Sequence, residues 1–195
     1  MNAATSIMRY YRFFQQRNAR RVLDYGAGKL RNSLFLSGKG FNVFAADLPE
    51  QIGRMKEEPA ASRLAGLIEA TELEQTRLNV DLVISNFVFN IIPDGPEKQL
   101  YLRNTVRNLR RDGYLLVEVR CRQNLVPCGS GCTHYMKCNS CIKTYSHDEL
   151  DRLVTPYGFK RICHYYRHRA LAAVYQLVDD HGWELRVRPQ SVYCC

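Results

Sequence analysis

The residues best placed for chemistry stand in one string, Val22-Leu23-Asp24-Tyr25-Gly26-Ala27-Gly28-Lys29-Leu30-Arg31-Asn32-Ser33, answered by Asn42-Val43-Phe44-Ala45-Ala46-Asp47. An apolar run stops at an acid, turns through two glycines and enters helix-compatible sequence, the order in which a strand meets a helix over a nucleotide. The glycines let the chain turn tightly and let a ligand approach the backbone. Asp47 ends a second apolar run, where a carboxylate can accept hydrogen bonds from both hydroxyls of a ribose. Two phosphate-binding readings lose ground on what is missing. A dinucleotide fingerprint needs a third glycine where Arg31 stands, and a phosphate-binding loop needs a hydroxyl that Gly28-Lys29-Leu30 lacks.

A second cluster is made of cysteines. Of the eight in the chain, five fall between Cys121 and Cys141. Cys128, Cys132, Cys138 and Cys141 pair as Cys-x3-Cys and Cys-x2-Cys across a five-residue gap, a spacing that suits four thiolates around one zinc ion. Cys121 and His134 are spare ligands, so a shell of three cysteines and one histidine, or another set of four cysteines, stays open. Arg120, Arg122, Lys137 and Lys143, with His134 and Tyr135, give this insertion a basic, aromatic surface suited to a phosphate backbone and a stacked base. A brace for a loop is the plainer role.

The elements that must position these residues follow from periodicity. The chain of 195 residues, 46% apolar, is long enough for one domain with its own core. We therefore expect a single domain over residues 1–195, with residues 121–145 inserted into it. Residues 5–19 have a helical spacing of apolar side chains, capped by Thr5 or Ser6, and strands are expected near 21–25 and 41–46 around a helix from Leu30 to Ser37. Short helices interrupted at Pro59 lead to a third strand near Gly66–Ala70. Val80–Pro93 holds the most hydrophobic strand, which suits the centre of a parallel sheet. A helix over Pro96–Arg111, ended by Asp112-Gly113, precedes the strand Tyr114–Arg120. Ser146-His147-Asp148-Glu149 reads as a capping box, and a strand pair is expected near 159–166 and 170–178. No run reaches the roughly 18 apolar residues of a membrane span. With no export signal at Met1–Ser6, we expect a cytoplasmic protein without a membrane partner. The formal charge of +9 raises the prospect of a polyanionic partner.

With Asp24-x-Gly26-x-Gly28 and Asp47, which lies 19 residues after the second glycine, the chain resembles the class I S-adenosylmethionine (SAM)-dependent methyltransferases over most of residues 20–178. Arg31-Asn32-Ser33 looks like the tellurite-resistance-type branch. The resemblance implies an α/β fold with a Rossmann-like sheet, mostly parallel with an antiparallel edge strand, here carrying the zinc-knuckle insertion. It implies SAM as cofactor, held by Asp24, Gly26, Gly28, Arg31, Asn32, Asp47, Leu48, Ser85, Asn86 and Phe87, with Glu69, Ala70 and Thr71 nearest the adenine. Ser85-Asn86-Phe87-Val88 falls at the family's fourth motif without the prolines of enzymes that methylate base amines. Asn86, Tyr11 and His134 are candidate catalytic residues, and His147 and Tyr10 are further candidate bases. Charge and the basic insertion lean toward nucleic acid as acceptor. A small molecule is the alternative, as is a non-catalytic module that binds a partner through zinc.

Overall fold

The computed structural model describes residues 2–93, 95–121, 144–167 and 169–179. Seven strands form one sheet: β1 (Arg21–Tyr25), β2 (Asn42–Asp47), β3 (Gly66–Glu69), β4 (Val80–Asn86), β5 (Leu109–Arg120), β6 (Phe159–Arg167) and β7 (Ala170–Leu177). Their order is β3-β2-β1-β4-β5-β7-β6. β1 through β5 run parallel, and β7 is antiparallel to both β5 and β6. The expected antiparallel edge strand needs correcting. β7 folds back from β6 into the gap beside β5, so the antiparallel strand is second from the edge and β6, the outermost, runs parallel to the rest.

Helices α1 (Thr5–Gln16), α2 (Arg31–Gly38) and α3 (Pro49–Lys56) cover one face, and α4 (Pro96–Asn108) and α5 (His147–Val154) cover the other. The alternation along β5 shows why two faces are needed. Tyr114 and Leu116 join Ile7 and Phe14 of α1 in one core, while Leu115, Val117 and Val119 join Tyr101 and Leu102 of α4 in another. Strands buried on both sides read as continuous apolar runs, as Leu82-Val83-Ile84 of β4 does. Phe14 meets Tyr114 at 5.7 Å between ring centroids, and burying such a ring contributes about 2 kcal/mol.

Three boundaries differ from expectation. No hydroxyl caps α1: its N-cap is Ala4, whose N–H donates to Asn32 Oδ1 at 2.9 Å, so the helix start is tied to α2 instead. α4 ends at Asn108 rather than Arg111, and β5 begins at Leu109. Leu109 and Tyr114 pair with Val80 and Leu82 across an irregularity. Arg110 reaches Asp81 at 2.5 Å there, and Asp112 at φ 59° carries the extra residues. The sequence Arg111-Asp112-Gly113 thus makes a bulge inside a strand, not a helix stop. The capping box at α5 is present, with Ser146 and Glu149 bonded reciprocally. Cys128, Cys132, His134, Cys138 and Cys141 lie outside the described residues. Among the described residues no group of three or more His, Cys, Asp or Glu side chains could hold a metal, and no helix is long and apolar enough to cross a membrane.

Candidate active site

The site is built at the carboxyl ends of β1, β2, β4 and β5, where open α/β sheets bind ligands. Gly26 leaves β1 at φ 89°, and a Cβ there would come within 2.4 Å of Val88 Cγ2. It must be glycine because of both backbone and packing. Gly28, at φ 55°, faces open space, the side from which a ligand can reach the backbone. Three contacts fix the turn. Asp47 Oδ2 accepts from Gly28 N–H at 2.8 Å, Asp47 Oδ1 accepts from Leu48 N–H at 2.8 Å, and Gln51 Nε2 donates to Gly28 O at 2.7 Å. Leu30 at φ 58° then launches α2.

Asp24 lies beneath the turn, 1% exposed. Its Oδ2 accepts from Ser33 Oγ at 2.5 Å, and Oδ1 has no hydrogen-bond partner among the described residues. Burial pushes its pKa up to about 7, opposed by the Ser33 hydroxyl and reinforced by the nearby Asp47 charge. A buried carboxylate with one unpartnered oxygen costs stability and persists where a ligand uses it.

Across the cavity, β4, β5 and α1 meet in a polar triad. Glu118 is 4% exposed and is the one acid in the Tyr114–Val119 run of β5. Its Oε2 accepts from Ser6 Oγ at 2.6 Å and from Asn86 Nδ2 at 2.9 Å, and Asn86 Nδ2 also donates to Ser6 Oγ at 2.9 Å. Both contacts fall on Oε2, which leaves Oε1 without a hydrogen bond among the described residues. Asn86 Oδ1 is buried and likewise unpartnered. Phe87 follows at φ 62°, its N–H held by Glu118 O at 2.7 Å. Such backbone in a bulky residue stores strain and tends to occur at functional sites.

These groups border a cavity of about 420 Å³ whose lining includes Gly26, Gly28, Arg31, Asn32, Asn86, Phe87 and Glu118, roofed by Asn2–Thr5. A second cavity of about 220 Å³ shares Thr5, Phe87 and Glu118 and adds Arg120, Arg167, Arg169 and Ala170. Of the residues expected to bind cofactor, Gly26, Gly28, Arg31, Asn32, Asn86 and Phe87 line the first cavity. Asp24 and Ser85 are buried below it, Asp47 anchors its floor, and Leu48 is 57% exposed just past β2. Glu69 sits beside Asp47 in register.

The expected bases are elsewhere. Tyr11 packs edge-on against Phe35 at 5.6 Å and does not line either cavity. Tyr10 bonds Cys163 at 3.4 Å, with burial raising its pKa. His147 pairs with Tyr166 at 2.8 Å at the start of α5. Glu118, which does line both cavities, escaped the sequence reading. Its signal was a lone acid in Tyr114-Leu115-Leu116-Val117-Glu118-Val119, on the same pleat face as Tyr114 and Leu116.

A sheet of this order, with a Gly-x-Gly turn after β1 and an acid ending β2, defines the Rossmann-like fold of class I methyltransferases. Residues 3–184 match the family model described as "Methyltransferase domain", and the chain belongs to that family. It is a SAM-dependent methyltransferase. Among solved structures, the Burkholderia thailandensis 1,6-didemethyltoxoflavin-N1-methyltransferase with bound 1,6-didemethyltoxoflavin and S-adenosylhomocysteine is similar, with TM-score 0.65 and 18% identity, covering 90% of this chain and 79% of that one. TehB from Haemophilus influenzae matches with TM-score 0.63 and 17% identity, over 89% of this chain and 62% of that one. A type 11 methyltransferase fold from Sulfolobus solfataricus gives TM-score 0.64 and 15% identity, over 87% and 90%. At these identities the likeness concerns the fold. No curated protein matches in sequence.

Proposed function

We propose that the protein transfers the methyl group of SAM to a small-molecule acceptor, with the larger cavity holding the donor and the smaller one the acceptor. The observation that carries this is their common wall of Thr5, Phe87 and Glu118. Two compact, adjoining spaces suit two small ligands, the smaller being below the roughly 300 Å³ at which drug-sized sites begin. The structural neighbour solved with 1,6-didemethyltoxoflavin bound fits the same reading.

The residues present suit the donor. Gly28 leaves the backbone open, Asp47 retains lone pairs for ribose hydroxyls beyond its two amide contacts, and exposed Leu48 offers an apolar surface to a purine. Asp24 Oδ1 and Asn86 Oδ1 are buried acceptors with no partner among the described residues, available to the donor's ammonium. When bound, SAM supplies an electrophilic methyl on a sulfonium. The chain's own contribution is to position and to handle the proton. Ser6 and Asn86 fix Glu118 through Oε2, so Oε1 can accept a proton from the acceptor's nucleophilic atom. Asn86 is then a positioning residue.

The sequence also supports zinc in the 121–145 insertion, through Cys128, Cys132, Cys138 and Cys141. Purified protein should carry about one zinc per chain, and metal-free protein with four titratable thiols there would remove that part. For the acceptor, an extract of the source cells is incubated with methyl-labelled SAM and the protein. Label should enter small, nuclease-resistant material; label in nuclease-sensitive polymer would overturn the proposal in favour of nucleic acid.

A further inference from the structure

We infer that the acceptor is an anion: the smaller cavity binds a planar molecule whose carboxylate or phosphate is gripped by Arg120, Arg167 and Arg169, with Phe87 supporting its ring. The inference rests on the small-molecule reading above and names the chemistry of the same site. Arg120 of β5 and Arg167 of β6 both pair with Ala170 of β7. Residues paired in this way project to one face of a sheet, so two guanidinium-bearing side chains flank a methyl group, with strand axes about 10 Å apart in total. Arg169 precedes Ala170 at the turn, its carbonyl accepting from Cys121 N–H at 3.0 Å. The short Ala170 side chain leaves the space between the arginines, and all four residues line the cavity.

All three arginines are exposed. None forms a salt bridge among the described residues, in contrast to Arg110 and Arg161, which pair with Asp81 and Asp151. Arg120 instead lies over the Phe87 ring, 5.8 Å from its centroid. Glu118 is the one carboxylate among the described residues of the lining, and its Oε2 is already engaged by Ser6 and Asn86. Three positive charges against one negative leave the pocket with net positive charge. Guanidinium forks match carboxylate and phosphate oxygens in pairs, and a cavity lined by one sign of charge concentrates ligands of the opposite sign. Phe87, 38% exposed at φ 62°, brings an aromatic ring to the same cavity lining as those cations and Glu118. An anion anchored at the arginines would place the remainder of a small ring toward Glu118 and the donor cavity.

The test uses the full chain saturated with S-adenosylhomocysteine and three probes titrated by calorimetry: benzoate, phenyl phosphate and neutral benzamide. Benzoate or phenyl phosphate should bind roughly tenfold or more tightly than benzamide, with the preference shrinking as salt rises. The Arg120→Ala/Arg167→Ala/Arg169→Ala variant, which alters only exposed side chains, should lose the preference and keep its affinity for S-adenosylhomocysteine. In parallel, a small-molecule extract is split on an anion exchanger before labelling. Acceptor activity in the retained fraction supports the inference. Activity confined to the unretained fraction, or equal binding of the three probes at every salt concentration, overturns it while leaving small-molecule transfer intact. Label entering only nuclease-sensitive polymer would instead overturn the reading beneath it.

Discussion

The two halves of the active site are built in opposite ways. On the donor side, backbone does the work: Gly26 and Gly28 turn at positive φ, and Asp47 ties Gly28 and Leu48 through their amides. Every one of those residues lies between Asp24 and Gln51, which are 27 residues apart. On the acceptor side, side chains do the work, and they come from α1, β4, β5 and the β6–β7 hairpin. Ser6 and Glu118 are 112 residues apart yet 2.6 Å from each other. The donor half is a local solution to holding one common cofactor, so it tolerates little change. The acceptor half is assembled at long range, where a substitution alters what is bound without disturbing the turn.

If this division is right, variants should separate cleanly. The largest effect is expected at the shared wall. Glu118→Gln should lower kcat by about 100-fold or more while SAM affinity measured by calorimetry stays within about twofold, because the amide preserves shape but cannot take a proton. Equal losses in kcat and SAM binding would make Glu118 structural only. Next comes Gly26→Ala, which forces a side chain into Val88 at unfavourable φ and should cost about 3 kcal/mol of unfolding free energy. Adding Val88→Ala should restore part of that, leaving the φ penalty; no coupling between the two would contradict the packing account.

Asp24 gives a pH signature on the donor side. Its folded pKa, raised by burial to about 7, exceeds its value in the unfolded chain, so the folded state holds the extra proton. Its stabilising contribution is complete below the ordinary carboxylate range and is lost as pH rises through about 7. Wild-type stability relative to Asp24→Asn should therefore fall by roughly 2 kcal/mol from pH 5 to pH 8 in denaturant titrations. A constant difference would show that Asp24 titrates normally. The smallest effect is Asp47→Asn, where one oxygen still accepts; SAM binding should weaken about tenfold.

The same division explains what the sequence could disclose. The donor half was legible because its residues are contiguous and their spacing encodes the turn; Asp24, Gly26, Gly28 and Asp47 needed no tertiary knowledge. The strands were legible too, since burial on both faces leaves apolar runs such as Leu82-Val83-Ile84. The acceptor half was not. Nothing local says that Ser6 faces Glu118, or that Arg120 and Arg167 share Ala170 as a pairing partner. Tyr11 and His147 looked chemically able but are spent on packing and on a side-chain pair. Asp112-Gly113 read as a helix stop because bulge and turn use the same residues, and only pairing with β4 decides between them.

The account stands most directly on two numbers measured for two variants: the Kd for SAM, and the KM for acceptor obtained from label transfer into graded amounts of small-molecule extract. Asp47→Asn should raise the SAM Kd and leave the acceptor KM within about twofold, while Arg120→Ala should raise the acceptor KM roughly tenfold with the SAM Kd unchanged. If Arg120→Ala weakens SAM as much as it weakens the acceptor, the two cavities are one site and the division proposed for them is wrong.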